Sequence, residues 1–250
     1  MGGRIDCYLD IASLYSYLAF LELQKNRELL TSHNVEVEFH PVLLGAINAG
    51  SGNRPPWTLP AKATYGAFDA RRAIARFPGL QVKFPADLMK MAMTVLPLRC
   101  LHYIKRTRPP HAFLSALHYL FYLFWSPPNT DLTKPESVAQ ALAEVPAGFI
   151  GVLGGEAGGV VDQETLFTAE EVQEIMRAAG TSEIKELLKT TTQKALDQGA
   201  FGNPWLWVTN GEGKGEPFFG SDRFRFVYKF LDLPYRDVTL LPPGPDKSKL

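Results

Sequence analysis

The chain has 250 residues, of which 46% are hydrophobic and 21% charged, which is enough apolar material to bury a full core. This composition excludes a disordered chain and a string of small modules on linkers. Twenty-six Lys and Arg residues balance twenty-six Asp and Glu residues, so the chain lacks the positive charge of a general binder of nucleic acids or anionic membranes. Its two cysteines, Cys7 and Cys100, are too few for a disulfide scaffold and match no zinc spacing, which favours a reducing compartment.

The first forty residues predict a β-α-β unit. Apolar side chains alternate with other types from Ile5 to Leu9 and again from Val35 to Phe39, which is the period-2 pattern of a strand. Between the two strands, residues 14–30 place Leu and Tyr side chains at helical spacing, and Ser13 or Ala12 lies near the helix start. If the two strands are parallel, the connection between them is right-handed.

The middle of the chain predicts helices. The segment SGNRPPWTLP, residues 51–60, is too rich in Pro, Gly and Asn to hold a regular element. Beyond it, Pro or Gly breaks separate six predicted helices, at residues 61–77, 85–107, 111–126, 134–145, 168–179 and 181–198. Residues 147–164 contain six glycines and predict an irregular loop.

The longest apolar stretch, Phe113–Trp125, is shorter than the ~20 residues that a transmembrane helix needs, so we expect no membrane span. Its apolar side chains recur at helical spacing and fit a core or a dimer interface better than a cofactor pocket. They are Phe113, Leu117, Leu120, Phe121 and Phe124.

The last fifty residues return to strands. Trp205–Val208 predicts a strand, residues 209–216 a hairpin turn, and Phe218–Phe219 a short strand. We expect Ser221 or Asp222 to cap a final helix. This order of elements predicts an α/β fold: a thioredoxin-like sheet, built from a β-α-β and a β-β-α half, interrupted by a helical insertion subdomain. The predicted divisions are 1–60 with 193–240 for the thioredoxin-like domain, 61–192 for the insertion and 241–250 for an extended tail.

In such a fold the chemistry lies where the first strand runs into the first helix, because the free N–H groups of the helix start favour an anion such as a thiolate. Redox proteins place Cys-x-x-Cys there, whereas this chain has Ser13-Leu14-Tyr15-Ser16. Disulfide exchange by a protein dithiol is therefore excluded at this position. The Ser13 hydroxyl can bond a thiolate brought by a cofactor, although on spacing alone a plain N-cap is the favoured interpretation.

Five segments in order resemble the kappa-class glutathione transferases, relatives of the bacterial disulfide oxidases and of 2-hydroxychromene-2-carboxylate isomerase. The segments are DIASLYSYLAFLE at 10–22, SGNRPPWTLPAK at 51–62, the helical insertion, GAFGNP at 199–204 and FGSDR at 219–223. No single segment is specific, but together they span nearly the whole chain.

The resemblance implies the roles of nine site residues. Ser13 would be the catalytic residue that hydrogen-bonds the glutathione sulfur, in a cofactor-binding turn with Leu14 and Tyr15. Pro204 resembles the cis-proline of the fold, and the backbone of Asn203 would pair with the cysteinyl backbone. Leu14 replaces the usual Pro of this turn, and Asn203 replaces an apolar residue.

The two ends of glutathione would bind elsewhere. Ser221 and Asp222 would hold the γ-glutamyl carboxylate and ammonium, and Asn53 and Lys62 would lie near the glycyl end. These residue types suit a ligand with two carboxylates and one ammonium. The aromatic side chains of Tyr15, Trp57 and Tyr65 are candidates for an acceptor pocket, although plain packing is the more common role of large aromatic side chains near loops.

The resemblance thus implies a homodimeric detoxification enzyme that adds the glutathione thiolate to small hydrophobic electrophiles or reduces organic hydroperoxides. Glutathione is the expected co-substrate. A glutathione-dependent cis–trans isomerase of the 2-hydroxychromene-2-carboxylate type and a non-enzymatic carrier of glutathione or hydrophobic ligands remain the alternatives.

Two other groups of residues suggest weaker hypotheses. His40 and His118 lack Cys, Asp or Glu at metal-ligand spacing, so we expect no metal site. A basic run indicates a solvated helix end rather than a nucleic-acid site, given the zero net charge. It comprises Arg99, His102, Lys105, Arg106, Arg108 and His111.

The two ends of the chain bear on localisation. The start, MGGRIDCYLD, lacks the apolar region of a signal peptide, so we expect no secretion from this end. The last three residues, Ser248-Lys249-Leu250, form the tripeptide that the peroxisomal import receptor reads. We therefore expect a peroxisomal protein, with cytosol or mitochondria as additional locations.

Overall fold

The computed structural model of the chain describes residues 2–154 and 164–236. A mixed four-stranded sheet lies at its centre, formed by β1 (Gly3–Leu9), β2 (Val35–Pro41), β3 (Trp205–Asn210) and β4 (Gly215–Phe219). The strand order is β2-β1-β3-β4. β1 is parallel to β2 and antiparallel to β3, which is antiparallel to β4. This topology confirms the predicted β-α-β and β-β-α halves.

Helices cover the sheet and fill the middle of the chain. The first group is α1 (Leu14–Lys25), α2 (Arg27–Ser32), α3 (Leu44–Ser51), α4 (Pro60–Ile74) and α5 (Leu88–Met91). The second group is α6 (Val95–Thr107), α7 (Pro110–Trp125), α8 (Pro135–Ala143), α9 (Ala169–Ala178), α10 (Ser182–Asp197) and α11 (Phe224–Phe230). Within the described ranges, none of them is both long and apolar enough to cross a membrane.

β1 lies between two other strands of the sheet, and its side chains are buried at more positions than the alternating apolar residues alone predict. Ile5, Cys7 and Leu9 are buried in the main core, while Tyr8 is buried in a second cluster on the other face with Trp205. Both faces of β1 are therefore covered, as expected of a central strand under helices.

The helix that follows β1 is buried on nearly every side. Eight of its twelve residues are buried, so α1 lies inside the molecule rather than on its surface. It ends at Lys25 and not near residue 30 as predicted, because Asn26 caps it and a separate helix, α2, follows. The Asn26 side chain donates to the carbonyl of Glu22 (2.9 Å).

The helical insertion shares the main core with the sheet. The apolar stripe of α7 is fully or almost fully buried and packs against α1, so its core interpretation is confirmed. Tyr17 of α1 stacks on Phe121 of α7 at 5.0 Å between ring centroids. The predicted division at residue 193 falls inside α10, and the division into domains stays a prediction.

The structure also corrects other predicted helices. The helix α3 was not predicted, since its sequence LGAINAGS has no capping side chain at the start. The helix predicted at 85–107 is two helices, α5 and α6, separated by Ala92–Thr94. The residue at the N-cap of the final helix is Arg223 and not Ser221 or Asp222, and the Arg223 side chain makes no capping hydrogen bond.

Residues 155–163 of the glycine-rich segment at 147–164 lie outside the described residues. Its two ends meet, because Pro146 and Thr165 form an antiparallel bridge and the N–H of Ala147 donates to the carbonyl of Glu164 (2.9 Å). The extended tail, with Ser248-Lys249-Leu250, also lies outside the described residues.

Candidate active site

Ser13 is the N-cap of α1, and its hydroxyl has two partners. Oγ accepts a hydrogen bond from the backbone N–H of Ser16 (3.1 Å) and donates one to the backbone carbonyl of Asn203 (3.2 Å). The residue is 7% exposed. The first turn of α1 carries no acidic side chain, so the positive end of the helix is not compensated there. Ser13 is thus a helix cap and, at the same time, a contact to a loop 190 residues away.

That loop contains the proline implied by the family resemblance. The peptide bond between Asn203 and Pro204 is cis, and the carbonyl of Pro204 accepts from the N–H of Gly220 (3.2 Å). The side-chain amide of Asn203 is buried and has no hydrogen-bond partner among the described residues. No described residue accepts from its backbone N–H either. The backbone of Asn203 can therefore offer an N–H to a ligand beside Ser13.

The turn that leads into Ser13 is held by Asp10, a residue that the sequence reasoning missed. Its carboxylate is 1% exposed and accepts from the N–H of Ala12 (3.0 Å), the N–H of Leu44 (2.7 Å) and the hydroxyl of Thr94 (2.7 Å). Burial raises the pKa of Asp10 to about 6, while these three donors act in the opposite direction. A carboxylate directly after an apolar strand and before a serine at a helix start was the available signal.

Asn53 and Lys62, the two residues expected near the glycyl end, have different surroundings: Asn53 makes a hydrogen bond to a neighbouring loop, and Lys62 is exposed. The Asn53 side chain donates to the carbonyl of Phe201 (2.6 Å), which places it beside the Asn203–Pro204 loop. Lys62 is exposed in the first turn of α4 and has no hydrogen bond or ion pair within the described ranges. Of the two residues proposed for the glycyl end, only Asn53 contacts the loop.

Tyr15 connects the start of α1 to α4. Its hydroxyl donates to the carboxylate of Asp69 (2.7 Å), another residue that the sequence reasoning missed. Burial raises the pKa of Tyr15, and the bond to Asp69 and the nearby charge of Asp222 add to this. The Tyr15 side chain is half-buried, and Leu14 before it is buried in the main core. Tyr65 is exposed on α4, and the side chain of Trp57 lies outside what the structure describes.

Ser221 and Asp222 lie in the turn before α11. Ser221 is buried, and its carbonyl accepts from Arg76 (2.7 Å), which also pairs with Glu22 (3.0 Å). Asp222 is exposed and pairs with its neighbour Arg223. Since Gly220 bonds Pro204, this turn is attached directly to the cis-proline loop.

A groove of about 640 Å³ runs from this turn between α1 and α2 on one side and α11 on the other. Asp222 and Arg76 line one part of it, and the Tyr228 hydroxyl in its wall is buried without a partner among the described residues. The groove is large enough for a small organic ligand.

The basic run has a different environment from the one predicted. Lys105 donates to the carbonyl of Phe39 (2.6 Å), and Arg106 and Arg108 pair with glutamates of α10 and α9. Burial lowers the pKa of His102 to about 4. The interpretation as a solvated helix end was therefore wrong for most of the run, whose charges join helices and strands.

The two histidines considered as ligands are both inside the molecule. His40 lies 2.7 Å from the Asp6 carboxylate, while His118 is packed among aromatic rings and burial lowers its pKa to about 3. Within residues 2–154 and 164–236, no group of three or more His, Cys, Asp or Glu side chains could hold a metal ion.

Comparison with known proteins agrees with this architecture. Residues 4–145 match the family model of the DSBA-like thioredoxin domain. The chain is 30% identical to glutathione S-transferase kappa 1 of Caenorhabditis elegans, with 92% of each protein covered. It is 27% identical to glutathione S-transferase kappa 1 of Homo sapiens over 91% of this chain and 90% of that protein.

Among solved structures, 2-hydroxychromene-2-carboxylate isomerase has the same fold, with a TM-score of 0.64 at 17% identity, over 92% of this chain and 94% of that chain. The resemblance stated from the sequence segments is confirmed by the relatives and the family model. The chain belongs to the kappa class of glutathione transferases, within the DsbA-like thioredoxin family.

Proposed function

We propose that the protein binds glutathione at the start of α1, stabilises its thiolate with the Ser13 hydroxyl, and transfers it to electrophiles or uses it to reduce organic hydroperoxides. The observation that carries this proposal is the position of Ser13 Oγ, which caps α1 and contacts the backbone of the residue before cis-Pro204. Membership of the kappa class supports glutathione as the co-substrate.

The thiolate has to come from the ligand. Cys7 and Cys100 are both buried in the core. Burial raises the pKa of the Cys7 thiol and raises that of Cys100 to about 12, so neither forms a thiolate near neutral pH. The start of α1 offers an anion site without a protein sulfur to fill it.

The start of α1 supplies the free energy that this task requires. Lowering the pKa of a thiol by about two units corresponds to ~2.7 kcal/mol of preference for the thiolate. A hydrogen bond to a charged group contributes ~1.5–3 kcal/mol, and a helix N-terminus contributes ~0.3–1 kcal/mol or more when partly buried. One hydroxyl at the N-cap of a buried helix therefore suffices.

Binding exchanges one hydrogen bond for another. The Ser13 hydroxyl has a single proton, which it donates to the carbonyl of Asn203. When a thiolate arrives, the hydroxyl turns to the sulfur and releases that carbonyl. The released carbonyl and the N–H of Asn203 then pair with the cysteinyl backbone of glutathione, so the exchange leaves neither backbone group of Asn203 unpaired.

The remaining predicted residues fit the two ends of glutathione unequally. Asp222 supplies an exposed carboxylate for the γ-glutamyl ammonium, close to the loop that holds the cysteinyl part. Asn53 lies next to the same loop, and Lys62 offers a cation in the first turn of α4. Ser221 contributes a buried hydroxyl. The helix that follows it, α11, is short, with seven residues, and starts at Phe224, three positions after Ser221.

Ultraviolet difference absorption of bound glutathione tests the proposal. Wild type is expected to form thiolate about two pH units below free glutathione, and Ser13→Ala to shift the bound thiol pKa back toward its free value. Equal thiol pKa values in both proteins would contradict the role of Ser13. Product analysis separates conjugation and peroxide reduction from isomerisation, while binding without thiolate would indicate a carrier.

A homodimer is part of the proposal. The support is α4, which buries only Ala70 and exposes Tyr65 and Phe68, with Leu59 exposed just before it. Exposed apolar side chains on one helix are typical of an interface. Light scattering on the purified protein gives the mass directly, and a monomer at micromolar concentration would contradict this part.

We also propose import into peroxisomes and, with it, a role in detoxification there. The support is the tripeptide Ser248-Lys249-Leu250 alone. Deleting these three residues should move a fluorescent fusion from punctate peroxisomes to diffuse cytosol without changing the activity of the purified enzyme. An unchanged distribution would contradict the import signal.

A further inference from the structure

The turn between β1 and α1 is fixed by residues that lie far away in the chain. Asp10 receives its bonds from Leu44 at the start of α3 and from Thr94 just before α6, 34 and 84 residues away. The indole N–H of Trp125, at the end of α7, donates to the carbonyl of Ile11 (2.8 Å). Two of these donors, Thr94 and Trp125, belong to the helical insertion.

The same turn sets the position of Ser13. The N–H of Ser13 donates to the carbonyl of Asp10 (3.0 Å), and the N–H of Ala12 donates to its carboxylate (3.0 Å). A shift of Asp10 is therefore passed to Ser13 through a turn of three residues. A displacement of about 1 Å at a reacting group is enough to reduce a rate by ~100-fold.

The three hydrogen bonds that the Asp10 carboxylate accepts all come from uncharged donors. Two backbone N–H groups and one hydroxyl surround the carboxylate, and no cation is paired with it among the described residues. A buried carboxylate without an ion pair is costly unless its hydrogen bonds are complete. Such a group is sensitive to the loss of any one donor, because the others cannot compensate for it.

We infer that Asp10 is a positioning residue for thiolate formation, and that it acts through Thr94 of the helical insertion to hold Ser13 and the start of α1 against the bound sulfur. The inference rests on the proposed function, since it concerns the same site. It assigns the insertion a part in the chemistry, in addition to its part in the core.

A pair of variants at Thr94 isolates this effect. Thr94→Val keeps the volume but removes the donor, and Thr94→Ser keeps the donor. Thr107→Val is the matched control, because Thr107 is exposed at the end of α6, the helix that Thr94 precedes, and its hydroxyl donates to the carbonyl of Tyr103 (2.8 Å). Each protein is assayed for the pKa of bound glutathione, and for kcat and KM with 1-chloro-2,4-dinitrobenzene as the electrophile.

We expect Thr94→Val to raise the pKa of the bound thiol and to lower kcat about 3- to 10-fold, with the KM for glutathione within about two-fold. Thr94→Ser should restore both values, and Thr107→Val should leave them unchanged. Asp10→Asn should lower kcat by about ten-fold or more, because Asn cannot accept three hydrogen bonds in the same places.

Three outcomes overturn the inference. The first is a Thr94→Val protein with the wild-type thiol pKa and kcat but a lower unfolding midpoint, since Asp10 would then only stabilise the fold. The second is failure of Thr94→Ser to restore the values. The third is wild type that forms no thiolate, which overturns the proposed function as well, whereas the first two leave that function intact.

Discussion

The turn before α1 and the outer face of α4 are the two sides of the candidate site, and they are built in opposite ways. Asp10, Ile11 and Ser13 are buried, and each makes a hydrogen bond to a distant part of the chain. By contrast, α4 buries only Ala70 and leaves Lys62 and Phe68 exposed. The difference indicates that the turn before α1 is complete within one chain, while the outer face of α4 is left uncovered by the described residues.

Truncating one phenylalanine of the core that packs against α1 and one on α4 tests this contrast most strongly. Phe121 is fully buried between α7 and α1, and Phe68 is 50% exposed on α4. We expect Phe121→Ala to reduce the free energy of unfolding by ~3–5 kcal/mol and Phe68→Ala to change it by less than ~0.5 kcal/mol. Urea denaturation measures both. A loss above ~2 kcal/mol at Phe68 would show that another surface buries it and that α4 is not open.

Recognition of the γ-glutamyl ammonium is tested at Asp222. We expect Asp222→Asn to keep the fold but to weaken glutathione binding by ~1.5–3 kcal/mol, about 10- to 150-fold, because the charge-assisted bond is lost. The affinity for des-amino glutathione, which lacks the ammonium, should hardly change. Calorimetric titration of both ligands into both proteins completes the cycle. Equal losses for the two ligands, or none, would remove Asp222 from the site.

The two serines of the first turn of α1 separate catalysis from packing. We expect Ser13→Ala to lower turnover by about ten-fold or more, equivalent to ~1.4 kcal/mol, while much of the glutathione affinity remains. Ser16→Ala is the matched control, because the Ser16 hydroxyl is buried without a partner in the described part of the chain. Steady-state kinetics with glutathione and an electrophile compares the two. A larger effect at Ser16 would mean that the catalytic hydroxyl was assigned to the wrong serine.

The smallest effect is expected at Lys62. Since this ammonium is exposed, Lys62→Met should weaken glutathione binding by only ~0.2–1 kcal/mol, and added salt should reduce the difference. Lys189→Met, an exposed lysine on α10, controls for the change in net charge. Titrations at low and high salt measure the effect. A loss near 100-fold that persists in salt would mean that Lys62 is covered in the functional protein.

Local sequence determined the elements whose start and end signals lie within a few residues. The cap of α1 by Ser13 and the cap of α9 by Thr168 with Glu171 depend on contacts three positions apart. The strand before Ser13 is indicated by the alternation of its own residues. The family resemblance added Pro204, whose cis peptide bond the structure contains. For these features the side chains that decide the conformation are neighbours in the sequence, so a pattern of residue types is sufficient.

Tertiary structure alone decided the features that depend on distant partners. The start of α3 at Leu44 is stabilised by Asp10, and the break before α6 frees Thr94 to bond the same carboxylate. Likewise, the Ser13 hydroxyl meets the carbonyl of Asn203 only after β1 and β3 have paired. No local pattern encodes these contacts, because they join residues 34, 84 and 190 positions apart whose burial is set by the packing of the whole core.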